Sequence, residues 1–250
     1  VEHRRAGRAQ ELLEHGWLPR RREVGVLDRH DDENTMRMSA WVRRLYMRST
    51  SLSVPGAGSR SYVRWMYAVW SRFYDLSIAL DPAFRRGAAA MVAATVRDRD
   101  RVLDVGIGTG LLAELGAARA TQWVGLDYSM SMLDRARAKL SRLGLSHVTL
   151  QQGDARHLPF DDGTFDAVVS SFVLPHFAVD EKSAVVAELA RVLLPGGRLG
   201  LFLAQGEEAP LFSTRPQLLS WLGAAGFVDV VVEDRDDVYR IVTARAGLAR

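Results

Sequence analysis

The sequence predicts an α/β fold, a doubly wound and mostly parallel sheet, with a helical N-terminal extension. Three observations carry that expectation. From Asp98 onward, short apolar runs alternate with stretches of helical period. The segment Val102 to Gly110 places three glycines, Gly106, Gly108 and Gly110, at the turn directly after the first run. The first quarter of the chain also differs in charge from the rest.

The apolar runs Arg101 to Val105, Gln122 to Leu126, His147 to Gln151, Ala167 to Ser171 and Arg198 to Leu203 read as buried parallel strands. Helical stretches lie between them at Gly110 to Ala118, Ser131 to Leu143 and Lys182 to Leu193. A further helix is expected over Gln217 to Ala225. The closing segments Val228 to Glu233 and Val238 to Ala244 read as a final antiparallel pair. In sheets of this kind ligands bind beyond the carboxyl ends of the strands, so the residues after each strand are the ones to inspect.

The chain has 250 residues, enough for one large α/β domain with an appendage. Hydrophobic residues make up 48% and charged residues 25%, so a sizeable core is expected. With no cysteine, disulfides and thiolate chemistry are excluded. No cluster suggests a metal site. The first eight residues are too polar for a signal-peptide core and no apolar run is long enough to span a bilayer, so a cytoplasmic protein is expected.

Residues 1–60 hold 12 Arg against 8 Asp and Glu, whereas residues 61–250 carry a net charge of −1. The positive excess therefore sits in the extension. Met38, Trp41, Val42, Leu45 and Tyr46 recur at helical spacing among Arg37, Arg43, Arg44 and Arg48, which makes 36–48 a basic amphipathic helix. Such a helix suits the inner face of a membrane, and it equally suits packing on its own domain or on a second subunit, so monomer and homodimer both stay open. A boundary is expected near Ser49 to Ser61, rich in Ser, Gly and Pro. The domains expected are thus an extension at 1–60, a helical lid at 61–97 and an α/β core at 98–250. Nothing suggests nucleic acid as a partner.

In Gly106-Ile107-Gly108-Thr109-Gly110, glycine allows positive φ and close backbone approach to a ligand. By itself the turn also suits a dinucleotide site, or a bend with no ligand. A dinucleotide fingerprint requires a third glycine where Leu111 stands, which speaks against a pyrophosphate. Asp104, inside the strand end, can orient the loop and meet an ammonium group. Asp127, closing the second strand, can accept hydrogen bonds from both hydroxyls of a ribose; a helix N-cap is its plainer reading. Tyr128 and Met132 follow and can cover a base or ribose by apolar contact. Asp154, with Ala155, is placed to accept from an exocyclic amine of adenine. Ser171 and Phe172 end the fourth strand.

The segments VLDVGIGTG, GLDYSMSML, QGDARHLPFDDGTFDAVVSSFVLPHF and ELARVLLPGGRLGLF, in that order, resemble Rossmann-like class I methyltransferases. The likeness is strongest to the group containing quinone C-methyltransferases and bacterial phospholipid N-methyltransferases. It runs closely over 100–205 and more loosely over 61–99. It implies S-adenosylmethionine as cofactor, with Asp104, Gly106, Gly108, Gly110, Asp127, Met132, Asp154, Ala155 and Ser171 lining its site; Thr109, Tyr128 and Phe172 complete the candidates. It also implies that Tyr74, of the pair Tyr74-Asp75, packs over the cofactor, with Tyr67 a second candidate. The plainer reading of this aromatic stripe with Trp70 and Phe73 is core packing.

Transfer of a methyl from a sulfonium needs alignment and a dry pocket, and a base only where the acceptor must lose a proton. His176, after the fourth strand, is the best-placed titratable group, with Tyr74 the other catalytic candidate; a role for His176 in capping or orienting its loop is an equal reading, and His157 reads as solvent-exposed. The acceptor implied is a small molecule or lipid, phospholipid or quinone-like, methylated at oxygen, nitrogen or carbon. After Phe202 the chain departs from the quinone type, since only Leu203 to Thr214 separate the strand from the next helix. An NAD-dependent oxidoreductase and a non-catalytic cofactor-binding module are the alternatives.

Overall fold

The computed structural model describes residues 81–205, 213–235 and 238–248. Helix α1 (Pro82–Thr95) starts at Asp81, whose carboxylate accepts from the amides of Ala83 at 3.1 Å and Phe84 at 3.2 Å. Pro82 occupies the first turn, where a missing N–H costs nothing. Then follow β1 (Arg101–Val105), α2 (Leu111–Gly116) with a short 3-10 turn, β2 (Gln122–Asp127), α3 (Met130–Arg142), β3 (Val148–Gln152) and β4 (Phe165–Ser171). A second 3-10 turn, Leu174–His176, leads to α4 (Val179–Arg191), β5 (Leu193–Ala204), α5 (Arg215–Ala224), β6 (Phe227–Arg235) and β7 (Tyr239–Ala246).

The strand order is β3-β2-β1-β4-β5-β7-β6. The pairs from β3 to β5 are parallel, and β7 runs antiparallel to both its neighbours. Each strand read from the sequence is therefore present. The order reverses between β1 and β4, which opens a crevice beyond their carboxyl ends.

Alternation along each strand divides the core in two. Val102, Trp123, Ala167 and Val169 face Met91, Leu111, Leu133 and Leu140, from α1, α2 and α3. Leu103, Val124, Val168 and Leu199 face Val185, Leu189, Leu218 and Leu222, from α4 and α5. Both faces are covered, which is why the strand sequences are continuously apolar.

Most boundaries shift by one to three residues from those expected, and two differences have a clear physical cause. The helix expected over 110–118 ends at Gly116, where a Cβ would stand 2.6 Å from Val92 Cγ1 and 3.0 Å from Trp123, and the chain tightens into the 3-10 turn Ala117–Arg119. Strand β5 begins at Leu193 instead of Arg198, because Leu193 already pairs with Phe165 ahead of an irregularity in register. The basic helix at 36–48, the boundary at 49–61 and the aromatic stripe containing Tyr67, Trp70 and Tyr74 lie outside the described residues; of the expected lid, α1 is described.

Gly200 marks the closest approach of α1 to the sheet: a Cβ there would lie 2.3 Å from Thr95 Oγ1 and 2.6 Å from Met91 Sδ. Gly200→Ala is expected to destabilise the protein by about 1–3 kcal/mol, read as a lower urea midpoint with unchanged slope. A wild-type midpoint would mean that α1 can withdraw without cost.

Candidate functional site

The loop after β1 is fixed by the end of β2. The amides of Gly106 and Ile107 both donate to the carbonyl of Leu126, at 2.7 and 3.0 Å. Gly108 N–H donates to Asp127 Oδ2 at 2.9 Å, and Ser129 N–H to Oδ1 at 2.8 Å. Gly153, after β3, reaches the Asp127 carbonyl at 3.1 Å. Three loops thus meet at one strand end.

Gly106, Gly108 and Gly110 all have positive φ, at 71°, 55° and 88°. Their neighbours differ. A Cβ on Gly106 would lie 1.9 Å from Val173 Cγ2, so the loop after β4 itself requires glycine there. On Gly108 it would meet nothing closer than 3.9 Å among the described residues, none of which covers this backbone. Gly110 caps α2 in the left-handed region.

Two buried polar atoms at the crevice floor lack hydrogen-bond partners among the described residues, Asp104 Oδ1 and Ser171 Oγ. Asp104 is fully buried, and its other oxygen accepts from Trp123 Nε1 at a long 3.4 Å. Burial pushes the Asp104 carboxyl well above its usual range, with the nearby Asp127 adding to the rise. Burial raises Asp127 as well, against the amide hydrogen bonds that favour its charged form. An unpaired buried acceptor of this kind is costly, and an ammonium donor is the chemistry that would satisfy it. The residues present fit a ligand with an amino group, ribose hydroxyls and no phosphate.

On the far side of Asp127, Asp154 is engaged by Arg156, whose Nε and Nη2 lie 3.0 and 2.7 Å from its two oxygens. Ala155 is buried in the core beside them. Met132 and Thr109 are also buried, and Tyr128 is half-buried with its carbonyl accepting from Gln152. Phe172 has φ 58°, a left-handed conformation rare for an aromatic residue. Its ring joins Phe84, Phe202 and Tyr239, with centroids 5.3 to 6.0 Å away. It thus helps form an apolar wall at the β4 end of the crevice. His176 sits in the 3-10 turn behind that wall, and desolvation pushes its imidazole down to about 4. It is neutral at pH 7.

Asp104, Gly106, Gly108, Thr109, Gly110, Asp127, Tyr128, Met132, Asp154, Ala155, Ser171, Phe172 and His176 all lie at the carboxyl ends of β1 to β4 or in the segments just beyond. Tyr74 lies outside the described residues. Asp127 is not the cap of α3, since Ser129 occupies that position. His157 is exposed, in keeping with the sequence reading. Sequence reasoning missed Trp123, Arg156 and Glu181. Trp123 had a signal: a tryptophan inside a buried strand needs an acceptor for its N–H, and it shares a sheet face with Asp104. The described residues contain no group of three His, Asp or Glu able to hold a metal ion.

Comparison with known proteins places this geometry. A family described as "Methyltransferase domain" matches residues 102–197. A phosphatidylethanolamine N-methyltransferase from Cereibacter sphaeroides is 43% identical over 145 residues, 57% of this chain and 66% of that protein. A demethylmenaquinone methyltransferase from Thermobifida fusca is 37% identical over 184 residues, 70% of this chain and 75% of that one. The match to the first curated relatives spans 55% to 66% of their lengths. A structure of a SAM-dependent methyltransferase from Aquifex aeolicus superposes with a TM-score of 0.57 at 21% identity, covering 66% of this chain and 94% of that one, a likeness of fold.

Asp104 also predicts a dependence of stability on pH. Its pKa is raised on folding, so above the unfolded value the native state holds the proton more tightly, and stability is lost as pH rises through that window. Asp104→Asn removes the charge at nearly constant shape. The variant is expected to melt about 2–8 °C above wild type at pH 7, the shift that ~1–2 kcal/mol produces in a chain of this size. Its advantage should shrink as pH falls toward about 4. Calorimetry showing equal or lower stability at pH 7 would mean that Asp104 has a compensating partner.

Proposed function

We propose that this chain, which belongs to the S-adenosylmethionine-dependent methyltransferase family, holds that cofactor in the crevice between β1 and β4 and passes its methyl group to a small or lipid acceptor. The observation that carries the reading is the unsatisfied Asp104 carboxylate beneath a glycine, Gly108, whose open face admits a ligand. Asp104 would take the ammonium, Asp127 the ribose hydroxyls and Asp154 the adenine amine. Asp127 keeps acceptor capacity for this: its two oxygens offer about four lone-pair positions, and the backbone amides of Gly108, Ser129 and Tyr128 draw on three of them.

Bound there, the cofactor supplies an electrophilic methyl group. The chain's own part is to orient, to exclude water and, where the acceptor requires it, to take a proton. Ser170 fastens β4 to β1 by donating to the Val105 carbonyl at 2.8 Å, which fixes the crevice width. Phe172, Phe84, Phe202 and Tyr239 keep the β4 side apolar. His176, held neutral, adds no positive charge beside a sulfonium, and a neutral imidazole is the group assigned to take a proton where an oxygen or nitrogen acceptor must lose one. Tyr74 is assigned to the lid over the cofactor.

A phospholipid or quinone-like acceptor is favoured by the names of the relatives and by the basic amphipathic pattern at 36–48, which suits contact with an anionic membrane face. No helix among the described residues is long and apolar enough to cross a membrane. An NAD-dependent oxidoreductase is disfavoured by Leu111, buried at the start of α2 where a dinucleotide loop needs glycine.

The decisive experiment supplies methyl-labelled cofactor and fractionated cell extract and follows label into the organic phase. Label retained only in the aqueous phase would point to a polar acceptor; cofactor binding with no transfer to any fraction would leave a non-catalytic module. In calorimetry, Asp127→Ala is expected to weaken S-adenosylhomocysteine by about tenfold or more. Unchanged affinity, or heat from NADH alone, would remove this assignment.

A further inference from the structure

Arg156 stands between the two halves of the crevice. Its Nε and Nη2 lie on Asp154, and its own backbone N–H also donates to that carboxylate at 3.0 Å. Its Nη1 donates to Glu181 Oε1. The ring of Phe177 lies 5.8 Å from the guanidinium carbon. The second oxygen of Glu181 accepts the amide of Ala178 at 3.1 Å, closing the N-terminus of α4. One planar fork therefore joins the residue assigned to adenine with the segment 172–178, which carries Phe172 and His176. A point-charge ammonium has no geometry to serve both carboxylates in this way.

Stability alone does not account for the arrangement. The three side chains are 21% to 35% exposed, where ion pairs add little to folding. Each end of the fork instead meets an element that the site uses. Segment 172–178 also touches the glycine loop, through Val173 against Gly106. Its amides are tied at both ends, Phe172 to the Phe202 carbonyl at 2.9 Å and Ala178 to Glu181, and between them by the single turn of His176 to Val173 at 3.0 Å and Phe177 to Leu174 at 3.2 Å.

We infer that Arg156 is a positioning residue which, through Asp154 on one side and Glu181 with Phe177 on the other, couples occupancy of the nucleoside half of the crevice to the order of segment 172–178. This rests on the reading of the crevice as a cofactor site. A donor arriving at Asp154 restrains its carboxylate, which restrains Arg156, and the fork then holds Glu181 and the Ala178 amide. The coupling is a free energy between two sites and so is reciprocal.

Hydrogen exchange on the full chain tests this, with S-adenosylhomocysteine as the probe and two variants that cut opposite ends of the fork. Glu181→Gln keeps an acceptor for Ala178 but removes the anion facing Arg156. Arg156→Lys keeps the charge and loses the fork. In wild type, the probe is expected to slow exchange both at 106–110 and at 176–178. In both variants, slowing at 106–110 should stay within about threefold of wild type while slowing at 176–178 falls by about fivefold or more. Equal slowing at 176–178 in wild type and variants overturns the inference, as does wild-type slowing confined to 106–110. Loss of slowing at 106–110 in the variants would make Arg156 part of ligand binding itself and also overturns it. If wild type shows no slowing at 106–110, the cofactor reading fails first, and the coupling with it.

Discussion

The hydrogen bonds from Gly106 and Ile107 to the Leu126 carbonyl, with that from Gly108 to Asp127, are the constraint on which the site depends. They fold the loop back over β2, and a chain so folded must pass through three positive φ values within five residues. Only then does Ile107 turn its side chain down onto Gly125, where any Cβ would stand 2.2 Å from its Cδ1. Glycine on β2 is thus required by the conformation of a loop after β1. The same fold-back leaves Gly108 uncovered by any described residue and brings Val173 against Gly106. One short set of backbone bonds so determines what three separate strands may carry.

The crevice that results is a place where the fold tolerates loss. A fully buried carboxylate with one oxygen unpartnered among the described residues, a buried serine hydroxyl likewise unpartnered among them, and an aromatic residue at positive φ each oppose stability. All three lie at the carboxyl ends of neighbouring strands. The surroundings compensate: Ser170 ties β4 to β1, Phe172 N–H donates to the Phe202 carbonyl at 2.9 Å, and three aromatic rings pack around its side chain. Sites built for a ligand concentrate such unmet groups, because a ligand can meet them.

Much of this was legible in the sequence, for definite reasons. Burial on both faces leaves parallel strands continuously apolar, so β1, β2 and β4 stood out, and the alternation with helices implied the winding. Asp104, Asp127 and Asp154 were conspicuous because each interrupts or ends an apolar run. What the sequence concealed depends on long-range approach. Arg156 follows Asp154 by two residues and reads as a solvated charge; its meaning comes from Glu181, 25 positions on and brought near by α4. The early start of β5 was hidden because Leu193 to Gly197 carries a proline and two glycines, a composition that reads as a turn. Phe172 was expected to line the cofactor site, and its positive φ, which turns the ring into the aromatic wall, has no signature in a sequence.

The distribution of charge across the crevice also bears on the reaction. Carboxylates from β1, β2 and β3 gather on one side, whereas the β4 side offers Phe84, Phe172, Phe202 and Tyr239 with a histidine held neutral by desolvation. Methyl transfer from a sulfonium turns a cationic sulfur into a neutral thioether. Surroundings of low polarity disfavour the cation of the starting state more than the dispersed charge at the transition state. Anions placed close to the sulfur would work the other way, by stabilising the starting cation. With the cofactor bound as proposed, a division that keeps the carboxylates at its nucleoside and amino-acid ends, and leaves aromatic rings and an uncharged imidazole at the other, would avoid that penalty. The same apolar wall would suit the proposed lipid or quinone-like acceptor better than a strongly hydrated one, since each polar group brought against it without a hydrogen-bond partner carries a desolvation cost. In that proposal, the feature that favours the chemical step also narrows the class of acceptor.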